Sequence, residues 1–141
     1  MQPYTPSQNT MLLLTRFIVA AIFLVAAYYK IVFWSSTAET MHMSASMFNL
    51  MKFLTIAEPI GALALILGFL TRSAATCLGI IMLGAMYVMK FNMGIGFVTP
   101  TGAGWNFPLA VLAPCLVLMA FGAGNYSIDG MWHRALNKPM A

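Results

Sequence analysis

Lys30 and Glu58 each carry a formal charge in surroundings that are otherwise apolar. Lys30 closes "RFIVAAIFLVAAYYK", and Glu58 lies inside "FLTIAEPIGALALILGFLTR" with Pro59 directly behind it. Insertion scales put a charged side chain at a membrane-helix centre at roughly 2.5–3.5 kcal/mol, so such groups pair, face the protein interior or do chemistry. Two roles are open to this pair. It is either a structural ion pair that fixes helix register, or a functional pair that binds an anion or quinone headgroup or relays protons. Glu58 lies fourteen residues before Arg72, and Lys30 fourteen after Arg16. At the α-helical rise both are roughly 21 Å from the side bearing the arginines, which makes Lys30 the first candidate partner. Lys90, Tyr87 and Asn106 fall within a turn or two of the same layer and complete the candidate binding set.

Other residues invite other chemistry. Lys30, Lys52 and Lys90 fall towards one end, where a partly desolvated basic pocket suits a sulfur oxyanion or a quinone carbonyl. The plainer alternative is lysines snorkelling to the headgroups, which is preferred for Lys52, and Arg16 and Arg72 are expected to anchor the opposite interface in the same way. Met41, His42, Met43 and Met47 form a cluster whose thioether and imidazole groups suit Cu(I). The chain has thirteen methionines, however, and methionine is a common apolar filler, so no metal site is expected. Cys77 and Cys115 form no C-x-x-C. Their similar expected depth permits a redox pair, although buried cysteine is more often an inert small hydrophobe. His42 and His133 are expected on opposite sides, too far apart to bind one haem.

The elements that must position these residues follow from composition. The chain is 61% hydrophobic and 7% charged, against about 25% charged in an ordinary soluble domain. The bilayer is therefore the expected solvent. Seven scattered basic residues make no stripe, which excludes a nucleic-acid partner. Residues 1–10 are read as an N-terminal tail; they lack the basic start of a secretory signal, so the first apolar run is expected to be retained. Four spans are read, at about 11–33, 48–70, 73–91 and 105–121, each near the twenty or so residues needed to cross the hydrocarbon. Only "TR" separates the second and third spans, which predicts a tight antiparallel hairpin.

Pro59 is expected to kink the second helix rather than begin one, freeing the Thr55 carbonyl. In the first span Arg16, Ala20, Phe23, Ala27 and Lys30 share one stripe; in the third, Arg72, Thr76, Gly79, Leu83 and Lys90 do. Ala57, Gly61, Ala64 and Gly68 give the second a small-residue face with Glu58 on its flank. "NMGIGFVTPTGAGWN" is either a lid over the polar layer or a plain connection. "FGAGNYSIDGMW" reads as a glycine C-cap followed by Ser127 as N-cap of a short interfacial segment, 127–141, with Trp132 at the headgroups. "TR" opens both odd spans and a tyrosine and lysine close each, an echo consistent with two duplicated hairpins. Arg16, Arg72, Arg134 and Lys138 on the terminal side, against three lysines opposite, place both termini in the cytoplasm.

"RFIVAAIFLVAAYYK", "EPIGALALILGFLTRSAA" and "GAGNYSID" together resemble the DoxX family over about residues 12–132. The hairpin "GALALILGFLTRSAA" and the "GAGNYSID" ending are its specific parts. The resemblance implies a small four-helix protein of a bacterial or archaeal cytoplasmic membrane. Some members are linked to thiosulfate:quinone oxidoreductases, others to membrane-bound oxidative-stress systems. The family's recurrent charged positions fall on Arg16, Lys30, Glu58 and Arg72, with no established catalytic assignment. Two departures are visible: "GWNFP" stands where members often have an acidic residue, and "VAAYYK" replaces small residues late in the first helix.

The expectation is thus an all-α integral membrane four-helix bundle of two antiparallel transmembrane hairpins, spanning 11–126, in the cytoplasmic (inner) membrane. Its expected role is a small subunit of a quinone-linked redox system, with quinone as the possible cofactor and none bound covalently. The alternative is a non-catalytic accessory subunit docking onto a larger membrane complex. No cofactor-binding motif appears, which argues against independent catalysis.

Overall fold

The computed structural model describes residues 4–42, 44–100 and 102–136, the last four of these by backbone alone. The chain is mostly helical, at 75%. Helix α1 spans Pro6–Lys30 and runs on into a 3₁₀ turn, Ile31–Trp34. Helices α2 (Ala45–Leu67) and α3 (Thr71–Tyr87) follow, and a π-helical segment, Val88–Asn92, extends α3. Two short antiparallel strands, β1 (Val98–Thr99) and β2 (Gly102–Ala103), precede α4 (Asn106–Phe121) and α5 (Ile128–Leu136). Among the described residues three helical stretches, Pro6–Trp34, Ala45–Leu67 and Thr71–Asn92, are long and apolar enough to cross a membrane. With 16 residues, α4 reaches only about 24 Å.

Several boundaries differ from the expected ones, each for a local reason. The stretch read as a tail enters α1 at Pro6, because Thr5 and Gln8 make a reciprocal capping box. Asn9 is buried there rather than trailing in solvent. The turn between α2 and α3 is Gly68–Leu70, and Thr71 and Arg72 already belong to α3. Gly68 takes a left-handed φ of 67°, and the Phe69 N–H returns to the Ala64 carbonyl at 3.0 Å. The 93–105 connection is a folded hairpin rather than an open loop. The Trp105 and Asn106 N–H groups bond the Gly96 and Phe97 carbonyls at 3.3 and 3.2 Å, and a Cβ at Gly104 would collide with that of Gly96.

Packing follows the apolar stripes. α1 lies against α2 and α4, and α3 against α4 and α2. The expected stripe of α1 is the buried one: Arg16, Ala20, Phe23 and Ala27 are inside, joined by Leu12 and Val19. On α2 the deepest face is not the small-residue one. Thr55, Glu58, Ala62 and Leu65 are buried, while Gly61 sits against Leu78 of α3, where a Cβ would approach Leu78 Cδ2 to 2.9 Å. Phe23, Leu65, Leu78, Val111 and Leu118 join one continuous core. Large apolar residues such as Ile18, Ile60, Ile80 and Leu116 stay outside, as lipid-facing positions would.

Candidate functional site

Lys30 is the last residue of α1, and Glu58 lies midway along α2, one residue before its internal proline. The packing of these two helices brings Lys30 Nζ to 2.5 and 2.6 Å from the two carboxylate oxygens of Glu58. The Glu58 side chain is 1% exposed and that of Lys30 is 23% exposed, so the pair is sealed on the acidic side and partly open on the basic one. Beside it the Thr55 hydroxyl donates to the Met51 carbonyl at 2.9 Å and lies 3.4 Å from that of Lys30. An ammonium has three N–H donors, so two are committed and one is left. Lys30 also sits at the negative end of the α1 dipole, which favours its charge. The arrangement neutralises Glu58 without a further cation.

Among the described residues, Lys30 is the one candidate that bonds the Glu58 carboxylate. Lys90 lies instead over the rings of Phe91 and Trp105, 5.2 and 5.5 Å from their centroids. Tyr87 is exposed and packs its ring on Phe91 at 5.1 Å. Asn106 opens α4, and its Oδ1 is buried with no hydrogen-bond partner among the described residues. The expected stripe of α3 therefore fails as a single inward face: Gly79 is buried, but Arg72, Leu83 and Lys90 are exposed. Arg72 and Leu83 lie outside before the π segment begins, and its wider turn then rotates residues 88–92 out of α-helical register. Lys52 likewise lies over rings, 4.7 Å from that of Phe48 and 5.8 Å from that of Trp34.

Arg16 corrects a second expectation. It is not an interfacial anchor but a buried hub, 1% exposed. Its Nε and Nη2 each donate at 2.7 Å, to the carbonyls of Leu65 and Ile66. Its Nη1 donates to those of Ala123 and Tyr126 at 3.1 and 2.8 Å. The guanidinium thereby satisfies the Ile66 carbonyl, adds a second bond to that of Leu65, which also accepts the Gly68 N–H at 3.2 Å, and ties the end of α2 to the turn after α4. Arg72 is the exposed one, donating from Nη2 to the Ala120 carbonyl at 3.1 Å.

Asp129, at the start of α5, was not foreseen. Its two carboxylate oxygens accept the Leu70 and Thr71 N–H groups, each at 2.9 Å. It caps α3 from another helix and supports Leu70, whose φ of 48° is costly for a branched side chain. Asn9 Oδ1 accepts from the Asn125 N–H at 2.7 Å, and the Tyr4 hydroxyl donates to the Phe121 carbonyl at 2.7 Å. Ser127 caps α5 as expected, accepting from the Gly130 N–H at 3.0 Å. The available signal was scarcity: the chain has three acidic residues, and one of them stands just inside the first turn of a helix.

Among the other candidates, Met41 and Met47 are half-buried, and His42 is exposed with a φ of 51°. Met43 lies outside the described residues, as do the side chains of His133 and Arg134 and the whole of Lys138. Cys115 is buried and Cys77 exposed, both as free thiols. A shallow cleft of about 290 Å³, lined by Tyr4, Ser7, Gln8, Met11, Leu12 and Phe121, opens at the other end of α1 from Lys30.

Apolar helices of spanning length, with charged groups paired inside, define an integral, multi-pass membrane protein in contact with the bilayer. The sequence matches the DoxX family over residues 11–91, more than half of the chain, and the protein belongs to that family. No curated protein and no solved structure matches it.

Proposed function

We propose that this DoxX protein is a non-catalytic membrane subunit of a quinone-linked redox system, with Lys30 and Glu58 as the rivet between α1 and α2. In this reading the four helices form a bundle of two antiparallel transmembrane hairpins in the cytoplasmic membrane, with both termini inside. The observation that carries it is the closure of the pair: both oxygens of a buried carboxylate are held by one ammonium. A carboxylate so occupied is poorly placed to exchange protons with a substrate. The quinone link rests on the systems that the family resemblance implies.

A second reading is favoured by the 23% exposure of Lys30 and its one uncommitted N–H. A quinone carbonyl could accept that hydrogen bond, which would make the pair a headgroup site. One experiment separates the two: gentle detergent extraction of wild type and Glu58→Gln, followed by mass spectrometry of co-purifying proteins and lipids. A stoichiometric protein partner without quinone supports the subunit reading. Quinone bound to wild type and lost from Glu58→Gln replaces it with the headgroup site, and neither partner nor quinone overturns both.

A further inference from the structure

We propose that the end of the molecule bearing Lys52 and Lys90 is a binding face for anionic phospholipid, each lysine presenting its ammonium to a lipid phosphate from between two aromatic rings. The inference rests on the transmembrane arrangement proposed above. Lys52 lies in the second turn of α2, and Lys90 in the π segment that ends α3. Gly61 and Leu78, seven residues before and eight after the Gly68–Leu70 turn, meet across α2 and α3. Two helices paired in that register put Lys52 and Lys90 at the same end.

Each lysine is held in the same way. One ring comes from its own helical stretch, Phe48 or Phe91, and the other from the start or end of a neighbouring element, Trp105 or Trp34. Ring faces attract an ammonium and fix its position, but they do not neutralise it. An anion must still supply the counter-charge, and the protein hardly can. Of its three acidic residues, Glu58 is held by Lys30 and Asp129 is committed to the α3 N-terminus, which leaves Glu39 in the 35–44 connection. Around the two lysines Ile31, Trp34, Phe91, Met93 and Phe97 are exposed, an apolar surround that would lie at the level of the headgroups and upper acyl chains. A phosphate flanked by acyl chains matches both features, whereas a soluble anion matches only the charge.

The test is native mass spectrometry of the purified full chain in mild detergent, titrated with phosphatidylglycerol or with phosphatidylcholine. Wild type is expected to retain phosphatidylglycerol in preference. Lys52→Gln and Lys90→Gln should each lower that retention roughly fivefold. Lys52→Arg and Lys90→Arg, which keep the charge, should restore it. Equal retention of the two lipids by wild type would overturn the proposal, whether or not the variants fold. So would glutamine variants that retain phosphatidylglycerol fully, or that lose a protein partner while their lipid retention stays intact. The titration needs no partner protein, so failure of the subunit reading leaves its outcome readable.

Discussion

Arg16 and Leu65 are 49 residues apart in the chain, yet the guanidinium Nε lies 2.7 Å from the Leu65 carbonyl. That bond, with three others from the same side chain, joins the middle of α1 to the end of α2 and to the turn beyond α4. Hydrogen bonds to a charged group contribute about 1.5–3 kcal/mol each, and a buried carbonyl left unpaired costs a similar amount. Arg16→Met is therefore expected to lose about 3 kcal/mol or more of stability, measured by reversible unfolding in mixed micelles. Arg16→Lys should recover only part, since one ammonium cannot reach four carbonyls on two segments. An Arg16→Met protein as stable as wild type would remove the hub.

The Lys30–Glu58 pair predicts non-additive damage. Lys30→Met leaves a carboxylate buried, and Glu58→Leu leaves an ammonium that can turn outward through its exposed side. Breaking a buried pair from one side typically costs about 3–5 kcal/mol, whereas replacing both members with apolar residues is often neutral. The double variant Lys30→Met/Glu58→Leu should thus be more stable than Lys30→Met alone, and Lys30→Met less stable than Glu58→Leu. Glu58→Gln should fold, with intermediate loss. A double variant whose loss equals the sum of the two singles would mean that the pair is not coupled.

How far each site could be foreseen depends on the type of its partners. Lys30 and Glu58 are opposite charges at matching depths, so helical spacing alone brings them together. Arg16 satisfies backbone carbonyls instead, and a carbonyl has no residue type that a sequence can advertise; burial had to be seen. Asp129 acts on N–H groups 58 and 59 residues away, at a turn whose left-handed Leu70 is invisible in composition. The stripe that carries Lys90 is already exposed at Arg72 and Leu83, and five π-helical residues then depart from the 3.6-residue period as well. The two "TR" arginines both meet helix ends: Arg16 bonds carbonyls at the end of α2, and Arg72 one at the end of α4. Their environments nonetheless differ, one buried and one exposed.

Asp129 is expected to behave as an N-cap supplied in trans. Replacing a capping Asp by Ala costs about 0.5–2 kcal/mol, and here the loss should fall on the α2–α3 turn. Asp129→Ala should accelerate hydrogen exchange at the Leu70 and Thr71 amides while leaving the Lys30–Glu58 end unchanged. Asp129→Asn, which keeps one acceptor oxygen, should protect only one of the two. Unchanged exchange at both amides in Asp129→Ala would show that water or backbone replaces the cap without cost.

Gly68 and Gly84 provide a paired test of the crowded end against an open helix face. At Gly68 the backbone has φ 67°, and a Cβ would collide with the Ser127 Cβ and lie 2.7 Å from Arg16 Nη2. Any side chain there must both adopt a left-handed backbone, which costs roughly 1 kcal/mol, and displace the hub. Gly68→Ala should therefore destabilise the protein by more than about 1 kcal/mol and weaken the Arg16 contacts with it. At Gly84, inside α3, a Cβ would meet nothing within 4 Å. Alanine is favoured over glycine in a helix interior by about 1 kcal/mol, so Gly84→Ala should be neutral or stabilising. Thermal survival of the two variants in detergent, compared side by side, checks the contrast. Equal behaviour would mean that the turn at Gly68 relaxes freely and that Arg16 does not depend on its close approach.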